Sequence, residues 1–169
     1  MENYEVKMGQ NMHQKFTPRQ NELRLFIMNF IVDNGRPFNL DSDRQTAMDA
    51  LNMGAEEYQE ITDILQERDG MVIDEDSQDV NFIYPVSALE TKHRVTLADG
   101  RSFCAMCAID AIGSTFTFHQ DTVVDSVCTD EDVPVHIELK DGKVASYSPE
   151  GLYALSFQPE EVSNWAGSC

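Results

Sequence analysis

Apolar residues recur at helical spacing through the first third of the chain. Leu23, Phe26, Ile27, Phe30 and Ile31 stand at i, i+3, i+4, i+7 and i+8, a stripe that predicts an amphipathic helix. Thr17-Pro18 ahead of it supplies an N-cap and a proline for the first turn. Asn34-Gly35, followed by Pro37, ends it. A short second helix, capped by Asp41, is expected through Ala47, Met48 and Leu51 and ends near Gly54. Tyr58, Ile61, Ile64 and Leu65 mark the inner face of a third. After Asp69-Gly70 the period changes, and Met71-Val72-Ile73 and Val80-Phe82-Tyr84 predict two short strands around an acidic tip. Residues 1–16 are polar with scattered methionines and no period, and are expected to form a flexible arm.

From about residue 86 the pattern is one of strands and turns. Arg94 to Leu97 leads through Asp99-Gly100 to Phe103, and Thr122 to Val127 and Val135 to Leu139 follow as strands. Asp141-Gly142 is a further turn, and Leu152 to Leu155 a last apolar run. The expected fold class is α+β: an N-terminal three-helix, winged-helix-like lobe at 17–85, packed on a mixed β-sheet lobe with short helices at 86–169. A hairpin after three helices suggests a DNA-binding wing. Here the tip carries Asp74, Glu75, Asp76 and Asp79, which would face phosphates with carboxylates. A helical packing module is the better expectation.

Charge and composition narrow the partners. The 169 residues carry 12 Lys and Arg against 30 Asp and Glu, a formal net charge of −18. An anionic partner such as nucleic acid or a membrane surface is therefore disfavoured at long range. At 41% hydrophobic residues the chain can bury a core, yet no apolar run approaches the roughly 20 residues of a membrane span. The first residues lack the apolar segment of a secretory signal. An acidic cytoplasmic protein, with neither nucleic acid nor membrane as partner, is expected.

Four cysteines stand at 104, 107, 128 and 169, all in the second half. Without a secretory signal, thiol or metal chemistry is a better expectation than disulfides. Phe103 to Gly113 reads as a strand end running into a helix, so Cys107 lies near a helix N-terminus, which favours a thiolate. Cys107 and Asp110 are then i and i+3, a thiol and a carboxyl on one face, where the acid can take the thiol proton and return it elsewhere. A first-turn acid that merely complements the helix dipole explains Asp110 as well, and the spacing leaves both open. Cys104 and Cys107 form a C-x-x-C pair that reads as a dithiol, half a zinc site, or coincidence. Cys128 or His119 and His136 could complete a zinc site only by long-range folding. Cys128, on an apolar strand pattern, is expected to be a buried structural thiol.

Gly35-Arg36-Pro37, the helices after it, Asp99-Gly100-Arg101 and then Cys107-Ala108-Ile109-Asp110 together resemble the organomercurial (alkylmercury) lyases, the MerB family. That family joins a degenerate winged-helix lobe to a mixed-sheet catalytic lobe. The resemblance implies that Cys107 and Asp110 are its first catalytic cysteine and its acid, that Cys128 is its structural cysteine, and that Cys169 is its second catalytic thiol. Cys104 stands where the family has a non-thiol residue and adds a third candidate mercury ligand. The family pattern continues past the second thiol, which implies a sequence shortened at its C-terminal end.

The implied reaction, R–HgX to R–H and Hg(II), suits these residue types. Mercury is soft and selects thiolates. A second thiolate on the metal makes the attached carbon a better proton acceptor, and an adjacent acid must supply the proton. Two thiols and one carboxyl are the minimum set, with no organic cofactor and with free thiols as co-reactants. Phe103, Met106 and Phe116 are candidates for excluding water and receiving the organic group. Hg(II) would pass to small thiols or a mercuric reductase. The alternative is a non-catalytic mercury- or zinc-thiolate protein that uses Cys104, Cys107 and Cys128.

Overall fold

A computed structural model of the chain describes residues 15–154. The first helix, α1 (Pro18–Asn34), begins with the expected Thr17 N-cap. The Thr17 hydroxyl accepts the Gln20 N–H, and the Gln20 side chain accepts the Thr17 N–H at 2.9 Å, so two orphan donors are satisfied reciprocally. Gly35 ends the helix at φ 62°, its N–H returning to Ile31 O at 2.9 Å. The buried stripe runs Leu23, Ile27, Met28, Ile31 and Val32 and also takes in Arg24. Phe26 and Phe30 sit at its margin, half-buried and edge-on to the fully buried Phe38, with ring centroids 6.3 and 5.0 Å away. Phe16, placed by its polar neighbours in the arm, is buried against Gly70 and Leu65.

After β1 (Phe38–Asn39), helix α2 (Arg44–Leu51) is capped at Asp43 and not at Asp41. Asp43 makes no side-chain cap, because Arg36 forks its carboxylate at 2.7 and 2.8 Å and the Asn39 N–H adds a third bond. Helix α3 (Ala55–Glu67) buries Tyr58, Ile61, Thr62 and Leu65.

The strands β2 (Val72–Ile73), β3 (Asp79–Ile83), β4 (Val86–Ser87), β5 (Arg94–Leu97), β6 (Ser102–Ala105), β7 (Thr122–Val127), β8 (Pro134–Lys140) and β9 (Lys143–Ser148) join β1 in one sheet. Its order is β1-β3-β4-β6-β5-β7-β8-β9, with β2 also on β3. An α+β fold is what the residue pattern predicts, but the sheet is not mixed. Every pairing among the described residues is antiparallel. Helix α4 (Ala108–Phe118), between β6 and β7, brings the chain back beside β5 and not beside β6, so the two strands it joins never pair. The sheet also runs unbroken across position 86, since β3 pairs with β4 and β4 with β6.

One face of the sheet, with Val95, Leu97, Phe103, Ala105, Val124, Ile137 and Leu139, is core. Phe103 meets Phe118 of α4 there at 5.2 Å between centroids. Strand β9 was not predicted: Lys143 to Ser148 has no apolar alternation, and all six residues are exposed on an edge strand. Among the described residues, no helix is long and apolar enough to cross a membrane.

Candidate functional site

The site forms where β6 gives way to α4. Ala105 is fully buried, with its N–H on His93 O at 2.7 Å, and the Met106 N–H reaches Pro85 O at 3.4 Å. Cys107 then takes the N-cap in an extended conformation, φ −146° and ψ 177°, and its carbonyl accepts the Ala111 N–H at 2.9 Å. Its thiol stands at the positive end of the helix, where the first-turn amides have no intrahelical partner.

Asp110 lies in that first turn and is only 5% exposed. Burial pushes its carboxyl up to about 6, and the hydrogen bond from the Cys107 side chain offsets part of that rise. An acid that only complemented a helix dipole would be held below the ordinary range, by the same amides that favour an anion. The direction at Asp110 is the opposite, and burial is its first cause. A carboxyl raised to about 6 titrates near neutral pH, the range in which general acids and bases operate.

The other candidates are placed differently. Cys104, on β6, points to the sheet face opposite Phe103 and Ala105 by strand alternation. Its sulfur accepts from Arg94 Nη2 at 3.9 Å and lies 4.0 Å from Thr91 O. Cys128 follows the end of β7, half-buried against the core, with its N–H on Val133 O at 2.9 Å. Cys169 lies outside the described residues. Among the described residues, no three His, Cys, Asp or Glu side chains converge as a metal site would require.

His119 is the left-handed C-cap of α4, and His136 is an exposed partner of Asp125 at 2.7 Å. Phe103 and Met106 are buried core, while Phe116 is 59% exposed.

Two residues near the site escaped the sequence reading. Tyr84, taken as an alternating strand position, presents its hydroxyl to Gly113, in the middle of α4. Arg24, hidden in the apolar stripe of α1, donates from Nη1 to Tyr84 O at 3.0 Å. The available signal for the first was Gly113 itself, since glycine in a helix interior costs about 1 kcal/mol relative to alanine and calls for a reason.

The sequence model of the alkylmercury lyase family, MerB, matches residues 86–169. A solved structure described as the mercury-bound form of MerB2 superposes with a TM-score of 0.63 at 19% identity. The match covers 82% of this chain and 64% of that one, and at this identity the likeness is one of fold. No curated protein matches. The resemblance carried by Cys107-Ala108-Ile109-Asp110 is thus found again, by family model and by fold.

Proposed function

We propose that this chain, similar over residues 86–169 to the alkylmercury lyases, cleaves the carbon–mercury bond of organomercurials by protonolysis. The observation that carries the reading is the buried Asp110 carboxyl, raised to about 6 and hydrogen-bonded to the thiol at the N-cap of α4. A structural first-turn acid has no reason to be both desolvated and coupled to a thiol.

In this mechanism Asp110 takes the Cys107 thiol proton. The Cys107 thiolate displaces X⁻ from R–HgX and holds R–Hg through sulfur. The Cys169 thiol gives its proton to solvent, and its thiolate adds to the mercury and raises the electron density on carbon. Asp110 then delivers its proton to that carbon. The electron pair of the carbon–mercury bond becomes the new C–H bond, R–H leaves, and Hg(II) stays on the two thiolates. Small thiols or a mercuric reductase take up the metal and restore the thiols. No organic cofactor enters, and the proton removed from Cys107 is the one that reaches carbon.

The test is benzene release from phenylmercury under excess free thiol, with the parent chain beside Cys107→Ser, Asp110→Asn and Cys169→Ser. The parent releases benzene, and Asp110→Asn falls about 100-fold or more, the scale of a lost general acid. Mercury bound by the parent with no benzene formed would replace the lyase reading by thiolate sequestration.

A further inference from the structure

The loop between β3 and β4 is tied to the start of α4 from two sides. Val86 pairs with Ala105, and the Met106 N–H reaches Pro85 O at 3.4 Å, so the residue after Tyr84 is bonded to the residue before Cys107. From behind, the buried Arg24 of α1 holds the Tyr84 carbonyl at 3.0 Å, and Asn21 Oδ1 accepts from its Nε at 3.2 Å. The Tyr84 backbone is therefore fixed against the start of α4.

Its oxygen lies 3.0 Å from where a Cβ would stand on Gly113. A helical Cβ points toward the helix N-terminus. The hydroxyl thus lies over the turn that carries Asp110, one turn from Cys107. Burial above all disfavours ionisation of the phenol, and the charges of Asp110 and Cys107 add to it.

Mercury(II) with two ligands is linear, so an organic group on Cys107-bound mercury projects directly away from the sulfur. Its first carbon must also come against Asp110 if it is to be protonated. Phe103 packs in the core against Phe118, Met106 is buried and not aromatic, and Phe116 is turned outward. Among the described residues, Tyr84 places its hydroxyl against α4 at Gly113, one turn from Asp110.

We propose that Tyr84 is a specificity-determining residue, its ring forming the wall against which a planar organic group packs when an organomercurial is held on Cys107. This rests on the reading that the organomercurial binds at Cys107, and it gives the site a preference for aryl over methyl mercury. Gly113 permits the arrangement, because any side chain there would push the phenol outward.

The experiment is competition between phenylmercury and methylmercury for the folded full chain under free thiol, carried out in an Asp110→Asn background that slows cleavage, with Tyr84 kept or changed by Tyr84→Phe, Tyr84→Leu or Tyr84→Ala. Circular dichroism checks that each variant folds. An aromatic wall predicts that the phenyl-over-methyl binding preference drops about three- to tenfold in Tyr84→Leu and Tyr84→Ala, the scale of one aromatic pair. Tyr84→Phe, which retains the ring, keeps the preference within about twofold. If Tyr84→Ala does not fold, Tyr84→Leu against Tyr84→Phe decides the question. An unchanged preference in Tyr84→Leu overturns the proposal. So does loss of both mercurials together, which would make Tyr84 a support for Cys107 and not a selector. Because the readout is binding, a parent that releases no hydrocarbon defeats the lyase reading while the preference still decides on Tyr84.

Discussion

At the scale of the residue, Asp110 makes a prediction that needs no substrate. Its folded-state pKa is about 6, whereas an unfolded aspartate titrates near about 4. Between those values the folded chain keeps a proton that the unfolded chain has released. Stability must therefore fall as pH rises through that window and stay lower above it. Asp110→Asn removes the titration. The variant should match the parent near pH 4 and exceed it by about 2 kcal/mol at pH 7.5, read from urea unfolding at both values. Two stability curves that run parallel across that range would mean that the carboxyl is not desolvated. Asp43 has the opposite sign, since the Arg36 fork holds it below the ordinary range, but it is common to both proteins and cancels. The thiol–acid spacing was readable because i and i+3 share a helix face whatever surrounds them. The burial that raises the Asp110 carboxyl was not readable, because it comes from packing between segments far apart in sequence. Arg24 was missed for the same reason, being a charge set among Leu23, Ile27 and Met28 whose long-range acceptor, the Tyr84 carbonyl, is supplied only by tertiary structure.

At the scale of the element, α4 trades helix propensity for a close approach. Gly113 to Ala should stabilise a helix interior by about 1 kcal/mol. In this chain the new Cβ would come within 3.0 Å of the Tyr84 hydroxyl. Gly113→Ala alone is therefore expected to give little or no gain in stability. The same change in a Tyr84→Phe background, where the oxygen is gone, should give about 0.5–1 kcal/mol. A double-mutant cycle by denaturant unfolding measures the difference, and additive effects would show that the phenol does not press on the helix. Elements whose signals are local were legible. Thr17 and Gly35 bound α1 as expected, and β7 falls on Thr122–Val127, as read from its apolar pattern. Elements set by distant partners were not. The N-cap of α2 moved from Asp41 to Asp43 because Arg36 and Asn39 converge there. Strand β9 exists because β8 offers an edge after the Asp141-Gly142 turn, not because its own residues alternate.

At the scale of the whole molecule, the helices and the strands are joined more closely than a change of pattern near residue 86 suggested. A single sheet spans that position, and one cluster of buried side chains runs from Leu23 and Leu65 to Val124 and Leu139. Polar ties cross the same division. Arg101 donates to Asn29 and Asp33 of α1 at 3.1 Å each while its guanidinium is also paired with Asp99, and Arg24 reaches across to Tyr84. A helical module that only packed beside a catalytic lobe would open on its own. One that shares a core and a sheet must open with the rest. Native-state hydrogen exchange discriminates between the two. Slowly exchanging amides of α1, β5 and β7 should converge on one opening free energy, and Arg101→Ala should lower all three by a similar amount, on the order of 1 kcal/mol for exposed-to-half-buried ion pairs acting together. Amides of α1 that open well below those of β5 and β7 in the parent would separate the lobes. Tyr84 would then be held by a support that comes and goes, and the aryl preference expected of its ring would weaken under the same mild denaturant that frees α1.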